Sequence, residues 1–417
     1  MLWPLLVILA IQAASSGRAA APPQALDAAA AALEAGKYAE AAELLEKAVA
    51  ADPKDYRARF NLAFAYTQLH RETEAIAQYT KVVEQQPDLA PARLNLGILL
   101  LRQEKASAAV PHLELAAEKR LQDFRAQFYL GEALLKAGLS GRAAAAYQRA
   151  LAIDPKSAAA VLGLARSFAR QGQIDSAREQ YLRAAQMDRQ FNDALLELGD
   201  LLEGRKQPDE ALGLYLEYLK TKPEAVAVQE RAGVLLLQSK RYPEAIEHLE
   251  AAVRQNPTAA NQTALAQAYT MSRQPAKAVP LLRAAVIAEP DDLDLHLRLA
   301  MALLETMDYG GASKEFAAVA QKQPSNVDAW NGLGFTLYKV ENYDGALQAL
   351  ERARQLGSEP PGNEFLRAII LDRFHQYPAA LESYQKFLAA SGGKDPDDEF
   401  KARQRVRIIT NMLNKRR

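Results

Sequence analysis

Histidine is the side chain most often used for acid–base catalysis and metal binding near neutral pH, and this 417-residue chain contains only five. They stand far apart, with no pair at the spacing of a zinc-binding helix, and the chain has no cysteine to act as a thiolate ligand or nucleophile. Nucleotide-binding loops and the G-x-S-x-G motif of serine hydrolases do not occur either. The sequence therefore predicts a non-catalytic protein with no metal site and no cofactor. The five histidines are His70, His112, His248, His296 and His375.

Four carboxylates near the middle of the chain have a spacing that suits a cation or a basic peptide. Carboxylates at helical spacing usually form a solvated helix face, and neighbouring arginines neutralise such a face. We therefore interpret this cluster as a solvated face rather than a metal site. The carboxylates are Asp193, Glu197, Asp200 and Glu203, and the arginines are Arg166, Arg170 and Arg231.

The segments that carry these side chains repeat along the chain with a period close to 34 residues. Counting from Ala143 in both directions in steps of 34 residues, with one step of 33, reaches an alanine each time. The residue twelve places before each alanine is always Gly or Ala, and the residue four places after it is always Leu, Tyr or Phe. Such a period is the signature of stacked helix pairs, in which small residues allow two helices to approach and the large one fills the space beside them. The alanines are Ala41, Ala75, Ala109, Ala143, Ala177, Ala211, Ala245, Ala278, Ala312, Ala346 and Ala380.

These columns, with the proline that closes seven of the repeats and follows Asp in two of them, resemble the tetratricopeptide repeat family. The repeat-ending proline disfavours helical backbone in the residue before it and so ends the second helix at a fixed place. Leu121, Arg189, Ser358 and Gly392 occupy this proline position in four repeats. The aromatic residue expected near the start of each repeat is tryptophan only at Trp330. The prolines are Pro53, Pro87, Pro155, Pro223, Pro257, Pro290 and Pro324.

The resemblance implies an all-α, right-handed superhelical solenoid of about eleven helix-turn-helix repeats over residues 22–394. Residues 395–417 are predicted to form a capping helix with a basic face, because Ala402, Val406, Ile409 and Leu413 make one apolar stripe. We expect the eleventh repeat to fray first, since Arg367 stands where other repeats carry Leu or Ala.

The first 21 residues are predicted to be a cleaved signal peptide. Leu2 to Ala14 is mostly apolar and too short to span a membrane, and small residues suited to cleavage follow it. This favours an exported protein, periplasmic or extracellular, of the bacterial type, with no integral membrane span after removal of the signal. An uncleaved apolar tail, or a cytosolic protein with a misassigned start, stays open because the segment before Arg18 has no basic residue.

In the resembling family the inner face is lined mainly by the first helix of each repeat, which implies a binding groove here. In repeats two to four the corresponding positions give an apolar stripe flanked by amides, suited to an extended segment or an amphipathic helix. The alternative is that these residues pack against the neighbouring repeat. The groove residues are Phe60, Asn61, Phe64, Leu94, Asn95, Ile98, Phe128 and Tyr129, and a second aromatic contact is Asn331, Phe335 and Tyr338.

The predicted function is a protein-interaction scaffold that binds peptide or helical segments, in envelope assembly, secretion or export. Nucleic acid is not an expected partner, because 51 basic side chains balance 51 acidic ones. The set of Lys, Asn and Arg with which some family members clamp chaperone tails is absent, since Leu26, Ala30 and Tyr129 hold the supporting positions. The alternatives are a carbohydrate- or polymer-binding module and a cytosolic regulator.

Overall fold

The structure, a computed structural model, describes the backbone of residues 23–415, so the predicted signal peptide lies outside the described residues. Within them the chain forms 23 α-helices and one 3₁₀ turn, Arg189–Phe191, and no β-strand. The helices are α1 (Pro23–Glu34), α2 (Tyr38–Ala51), α3 (Tyr56–Gln68), α4 (Glu72–Gln85), α5 (Ala90–Arg102), α6 (Ala106–Lys119), α7 (Phe124–Lys136), α8 (Ser140–Ile153), α9 (Ala158–Arg170), α10 (Ile174–Met187), α11 (Asp193–Gly204), α12 (Pro208–Leu219), α13 (Val226–Gln238), α14 (Tyr242–Gln255), α15 (Ala259–Met271), α16 (Pro275–Ala288), α17 (Leu293–Glu305), α18 (Tyr309–Lys322), α19 (Val327–Lys339), α20 (Tyr343–Gln355), α21 (Pro361–Arg373), α22 (Tyr377–Ser391) and α23 (Pro396–Lys415).

The helices α1 to α22 form eleven pairs, each made of an odd-numbered first helix and an even-numbered second helix. The chain divides into two compact units, one ending at Leu214 and the other beginning at Tyr215, inside α12. Within each unit the two helices of a pair pack together, and the second helix packs on the first helix of the next pair. The predicted class, an all-α solenoid of eleven repeats with a closing helix, is confirmed.

A three-residue turn joins the two helices of every pair, and its middle residue has a positive φ. In the fourth pair this residue is Gly138, with φ +80°, and the following amide, Leu139 N, bonds to Leu134 O at 2.8 Å. This left-handed residue closes the first helix and reverses the chain. Glycine occupies the position in three pairs, at Gly36, Gly138 and Gly172. In the other eight it is a residue with a side chain, namely His70, Glu104, Lys206, Lys240, Arg273, Met307, Glu341 or His375.

The small and large columns meet as their sizes predict. A Cβ added to Gly97 would lie 2.5 Å from Leu113 Cγ, and one added to Gly131 would lie 2.9 Å from the Tyr147 ring. Both distances are shorter than real Cβ contacts, so these positions exclude a larger side chain. All eleven alanines of the repeating column have no exposed surface. The close approach of paired helices is therefore a consequence of residue size in these columns.

The fourth residue of the first helix explains why tryptophan is dispensable. Trp330 Nε1 donates to Pro324 O at 3.0 Å, and Gln229 Nε2 donates to Pro223 O at 2.7 Å. In both bonds the acceptor is the backbone carbonyl six residues before the donor, in the turn that precedes the helix. The same bond is made by Arg59 to Pro53 O, Arg93 to Pro87 O and His296 to Pro290 O. In these five repeats an N–H donor makes this bond, and only one of the five donors is tryptophan.

This fourth residue also contacts the seventh residue of the second helix of its own pair. Arg59 Nη1 donates to Gln78 Oε1 at 2.8 Å, and Gln229 Oε1 lies 2.6 Å from His248 Nδ1. The contact therefore ties the start of the first helix to the middle of the second. Two further pairs of this kind are Arg93 with His112 and His296 with Glu315.

The last helix, α23, covers the outer side of the eleventh pair. Ala402 and Ile409 have no exposed surface, and Arg405 makes a bidentate ion pair with Asp372, both distances being 2.6 Å. Part of the basic face is thus engaged in holding the cap. Arg367, the residue that marked this repeat as unusual, is held by carboxylates, with its Nη2 3.5 Å from Glu351 Oε2.

Candidate functional site

The residues predicted to form a groove in repeats two to four are mostly inside the protein. Phe60, Asn61, Leu94 and Asn95 have no exposed surface, and Phe64 and Ile98 are only 3% and 4% exposed. Nearly every residue of α3 and α5 from the fourth position onward is buried. The burial of these six side chains favours the packing alternative over an open groove at these positions.

The contacts of these residues explain their burial. Asn95 Nδ2 donates to the hydroxyl of Tyr79 at 3.0 Å, and Phe60 meets the Tyr79 ring edge to face at 5.3 Å. Tyr79 belongs to the large column of repeat two, so the Asn95 amide joins repeat three to repeat two, whereas the Phe60 ring packs within repeat two. Phe64 is likewise covered, with its ring 6.2 Å from Tyr38. The position of Asn95 suggested a ligand for peptide backbone, but the hydroxyl of the preceding repeat takes its N–H.

A small cleft remains where Ile98, Phe128 and Tyr129 come together. It has a volume of about 220 Å³ and is bordered by Arg102 and Glu132. Phe128 and Tyr129 are only partly exposed, and their rings contact each other at 5.3 Å. The structure therefore brings together three of the eight predicted groove residues in a shallow surface feature.

The second predicted contact, in repeat ten, is largely occupied by the protein itself. Asn331 Oδ1 accepts from Asn363 Nδ2 at 2.7 Å, and Asn331 Nδ2 donates to Ser358 at 3.1 Å. Phe335 is half-buried beside Tyr309, and Tyr338 is half-buried beside Tyr343. Internal contacts therefore occupy the amide and cover one side of each ring.

One carboxylate of the acidic cluster, Glu197, is paired with an arginine. Arg166 binds Glu197 in a bidentate pair at 2.9 and 2.5 Å, and the Tyr181 hydroxyl donates to the same carboxylate at 3.2 Å. The hydrogen bond to Glu197 raises the pKa of the Arg166 guanidinium. In the part of the chain that the structure describes, no group of three or more carboxylate, histidine or cysteine side chains is arranged to hold a metal ion.

A larger apolar cleft lies between the first helices of repeats eight and nine, α15 and α17. It has a volume of about 320 Å³, and two methionines line it, Met271 at 51% and Met301 at 55% exposure. We call it the methionine cleft. Two large apolar side chains exposed over one cleft suit contact with a protein partner, and flexible methionines adapt their shape to varied apolar partners. Its floor includes Leu282 and Leu297.

Polar groups at the edge of the methionine cleft suit the backbone or a charged group of a partner. Gln267 is exposed, Arg298 lies at the rim, and Thr263 Oγ1 is buried without a hydrogen-bond partner among the described residues. An unpaired buried hydroxyl costs free energy that a bound donor or acceptor would recover. The cleft thus combines apolar area with a few polar groups, which is the usual composition of a binding site.

This cleft was not predicted from the sequence, although the repeat register places one of its residues at a known lining position. Met301 is the ninth residue of its first helix, the position that Phe64 and Ile98 hold in repeats two and three. Met271 is the last residue of α15. Methionine has neither the ring nor the charge that drew attention to other residues, so only its exposure in the folded chain identifies it.

The chain was compared with known proteins by sequence and by fold. Profiles of the tetratricopeptide repeat match residues 32–96, 94–158, 162–225, 207–260, 269–324 and 297–363. A TPR repeat-containing protein of Pseudomonas aeruginosa is 27% identical over 212 residues, a stretch that covers 49% of this chain and 34% of that protein. The chain thus matches about a third of the length of that relative.

The chain also matches solved structures. YrrB, described as a TPR protein with an unusual peptide-binding site, is 24% identical with a TM-score of 0.39, and the match covers 42% of this chain and 91% of that one. MamA from Desulfovibrio magneticus is 22% identical with a TM-score of 0.37, and the match covers 40% of this chain and 94% of that one. Because the repeat profiles together match most of the sequence between residues 32 and 363, the chain belongs to the tetratricopeptide repeat family.

Proposed function

We propose that this chain is an interaction scaffold that holds an apolar segment of a partner protein in the methionine cleft. Tetratricopeptide repeats are in general scaffolds for protein–protein interaction, and the methionine cleft is the feature that locates such a role here. The single observation that carries the proposal is the exposure of Met271 and Met301, at 51% and 55%, over an apolar floor between two first helices.

The size of the cleft suits a few anchoring side chains rather than a large interface. Full burial of a methionine contributes about 1.5 to 3 kcal/mol, and ordering of the partner offsets part of this gain. Two buried methionines contribute roughly 3 to 6 kcal/mol before this cost, which supports binding nearer the millimolar than the micromolar range. The exposed amide of Gln267 suits partner backbone, and Arg298 at the rim suits an acidic residue beside the apolar anchor.

Photo-crosslinking tests the site directly. A photo-reactive amino acid in place of Gln267, inside the cleft, is expected to trap defined partners in the native host, and Met271→Asp with Met301→Asp is expected to abolish the product. The matched control places the photo-reactive residue at Ile287, which is 81% exposed in α16 outside the cleft. Equal crosslinking from positions 267 and 287, or a product that survives the double substitution, would contradict the proposal.

We also propose that the protein is exported and acts in envelope assembly, secretion or export. The uncharged apolar segment from Leu2 to Ala14, followed by small residues, supports this. Separately, none of the helices in residues 23–415 is long and apolar enough to cross a membrane. Sequencing of the mature N-terminus from fractionated cells tests export: a start between Gly17 and Pro22 supports it, whereas a cytosolic product that keeps Met1 favours the regulator alternative.

The carbohydrate-binding alternative has weaker support. Sugar stacking needs an exposed aromatic face, whereas Phe128, Phe335 and Tyr338 are half-buried against neighbouring rings. A titration with oligosaccharides is therefore expected to give no binding, and saturable binding would favour this alternative.

A further inference from the structure

A second cavity, of about 620 Å³, lies between the second helices of repeats three and four. It is lined by residues of α6, α7 and α8, including Gln127, Leu130 and Ala146. These repeats do not contribute to the methionine cleft. The cavity coincides with a departure from the repeat pattern, because Leu121 stands in the proline position and lines the mouth at 66% exposure.

At this cavity repeat four lacks a polar side chain that four other repeats have. In repeats two, three, seven and nine, the fourth residue of the first helix pairs with a polar side chain at the seventh residue of the second helix. In repeat four the fourth residue is Gln127, but the seventh residue of α8 is Ala146. The methyl group of Ala146 cannot reach or pair with the amide, so the place of the missing side chain is left open.

Gln127 is left with an unpaired oxygen as a result. Its Nε2 donates to Ala117 O at 3.1 Å, which fixes the orientation of the amide, and its Oε1 is buried without a donor among the described residues. The residue is 1% exposed. In repeat seven the equivalent atom, Gln229 Oε1, has His248 Nδ1 at 2.6 Å. A buried acceptor without a donor is unfavourable, so binding of a group that donates an N–H to Gln127 Oε1 is favoured.

The surroundings of Gln127 favour a protein segment over a small polar solute. Leu130, Leu134 and the exposed Leu121 give the cavity apolar walls. At the rim Arg142 pairs with Glu114. This pair joins α6 to α8 and leaves the rim locally neutral, so a strongly charged ligand gains little there.

We propose that this cavity binds an apolar segment of a partner protein that inserts one glutamine or histidine side chain and donates its N–H to Gln127 Oε1. The inserted side chain takes the place that Gln78, His112 and His248 fill from within the chain in their own repeats. Leu121, Leu130 and Leu134 contact the apolar residues of the partner on either side of the inserted side chain. This site is separate from the methionine cleft and does not depend on it.

The probe is the blocked peptide acetyl-Ala-Leu-Gln-Leu-Ala-amide, added to full-length protein with labelled alanine methyl groups. The Ala146 methyl resonance is expected to shift on titration, and the peptide with methionine in place of glutamine, similar in size but without the N–H, is expected to bind about fivefold more weakly. If the two peptides bind with equal affinity, the proposed hydrogen bond to Gln127 is wrong. If the Ala146 methyl resonance shifts with neither peptide, the proposed site is wrong.

The second experiment uses the Ala146→His variant. Its histidine can form with Gln127, inside repeat four, the same pair that Gln229 and His248 form in repeat seven. It is expected to raise the melting temperature and abolish peptide binding. Ala146→Gln serves the same purpose if the histidine variant folds poorly. Ala152→His, at an exposed residue of α8 that does not line the cavity, is the control and should leave binding unchanged. Peptide binding that persists in both Ala146 variants would overturn the proposal.

Discussion

Tyr147 shows how one side chain sets the size of its neighbours. Its ring is fully buried between Gly131 of its own repeat and Gly163 of the next. A Cβ at either glycine would overlap the ring, and the ring has no room to move because it lies in the core. The Gly163→Ala variant is therefore expected to lose about 1 to 3 kcal/mol of stability through overpacking. Thermal and urea unfolding followed by circular dichroism measure this loss.

Gly141→Ala, in the first turn of α8, is the matched control for Gly163→Ala. An added Cβ there meets only the end of a flexible glutamine, Gln171, at 3.7 Å. Because alanine favours helix over glycine, this variant is expected to be unchanged or slightly more stable. If the two variants lose the same stability, the effect comes from backbone conformation and not from the Tyr147 ring.

His112 is expected to make stability sensitive to acid. Burial and the positive charge of Arg93, whose Nη1 lies 3.2 Å from Nδ1, lower the pKa of His112 in the folded protein. As the pH falls below the ordinary histidine pKa of about 6.5, the unfolded chain binds a proton before the folded chain does. The free energy of unfolding therefore decreases below this pH and is unaffected by His112 above it.

The His112→Gln variant tests this pH dependence, since repeat two already uses the pair Arg59 and Gln78 at 2.8 Å in the same place. Melting temperatures of the two proteins are compared from pH 7.5 down to pH 5. The variant is expected to lose less stability than wild type below about pH 6.5. Parallel pH profiles for the two proteins would show that His112 does not titrate differently on folding.

At the scale of elements, the turn between paired helices is the most regular feature of the backbone. Lys240 has a φ of +60° in such a turn, whereas Gly138 has +80° in the equivalent place. The left-handed conformation strains a residue that has a Cβ, so Lys240→Gly is expected to stabilise the protein by about 0.5 to 1 kcal/mol after the entropy of glycine is counted. Gly138→Ala is the reverse test and should cost a similar amount. Unfolding by urea measures both, and a loss of stability in Lys240→Gly would contradict the strain.

The sequence was sufficient to predict the helix pairs, because residue size and turn chemistry act within one repeat. One 34-residue repeat contains both Gly97 and the Leu113 that packs against it, and one repeat likewise contains Gly138 and the turn that it forms. Depth of burial was not predictable in this way, since it depends on what the next repeat places above a helix. Asn95 appeared available to a ligand until the Tyr79 hydroxyl was located 3.0 Å away.

The two candidate binding sites were hidden in the sequence for related reasons. The methionine cleft depends on two residues that stay exposed, Met271 and Met301, and exposure is a property of the folded chain. The cavity of repeat four depends on Ala146, which in an alanine-rich helix looks ordinary. Its meaning emerges only when the partners of the equivalent residues, such as His248 beside Gln229, are known.

At the scale of the whole molecule, stability is expected to vary from repeat to repeat. A solenoid repeat contacts only its neighbours, so each end depends on one interface. One apolar cluster in the first unit runs from Ala29 to Leu164, whereas the last repeat shares a much smaller one with the cap. Amides of α21 and α22 are therefore expected to exchange with solvent faster than those of α3 to α7, despite the ion pairs around Arg367. Equal protection of the two regions in hydrogen exchange would contradict this.

Detachment of the capping helix would show how far a local loss of stability spreads along the repeats. Ile409 of α23 is fully buried against the last repeat, while its neighbour Ile408 is 43% exposed. Ile409→Asp places a charge in the contact with the last repeat and is expected to detach the cap, which then exposes the apolar side of α21 and α22. Hydrogen exchange should accelerate in those two helices and stay unchanged in α3 to α7, and Ile408→Asp should change neither region. Acceleration throughout the chain would mean that the repeats unfold as one cooperative body, and the nearest-neighbour description would then fail.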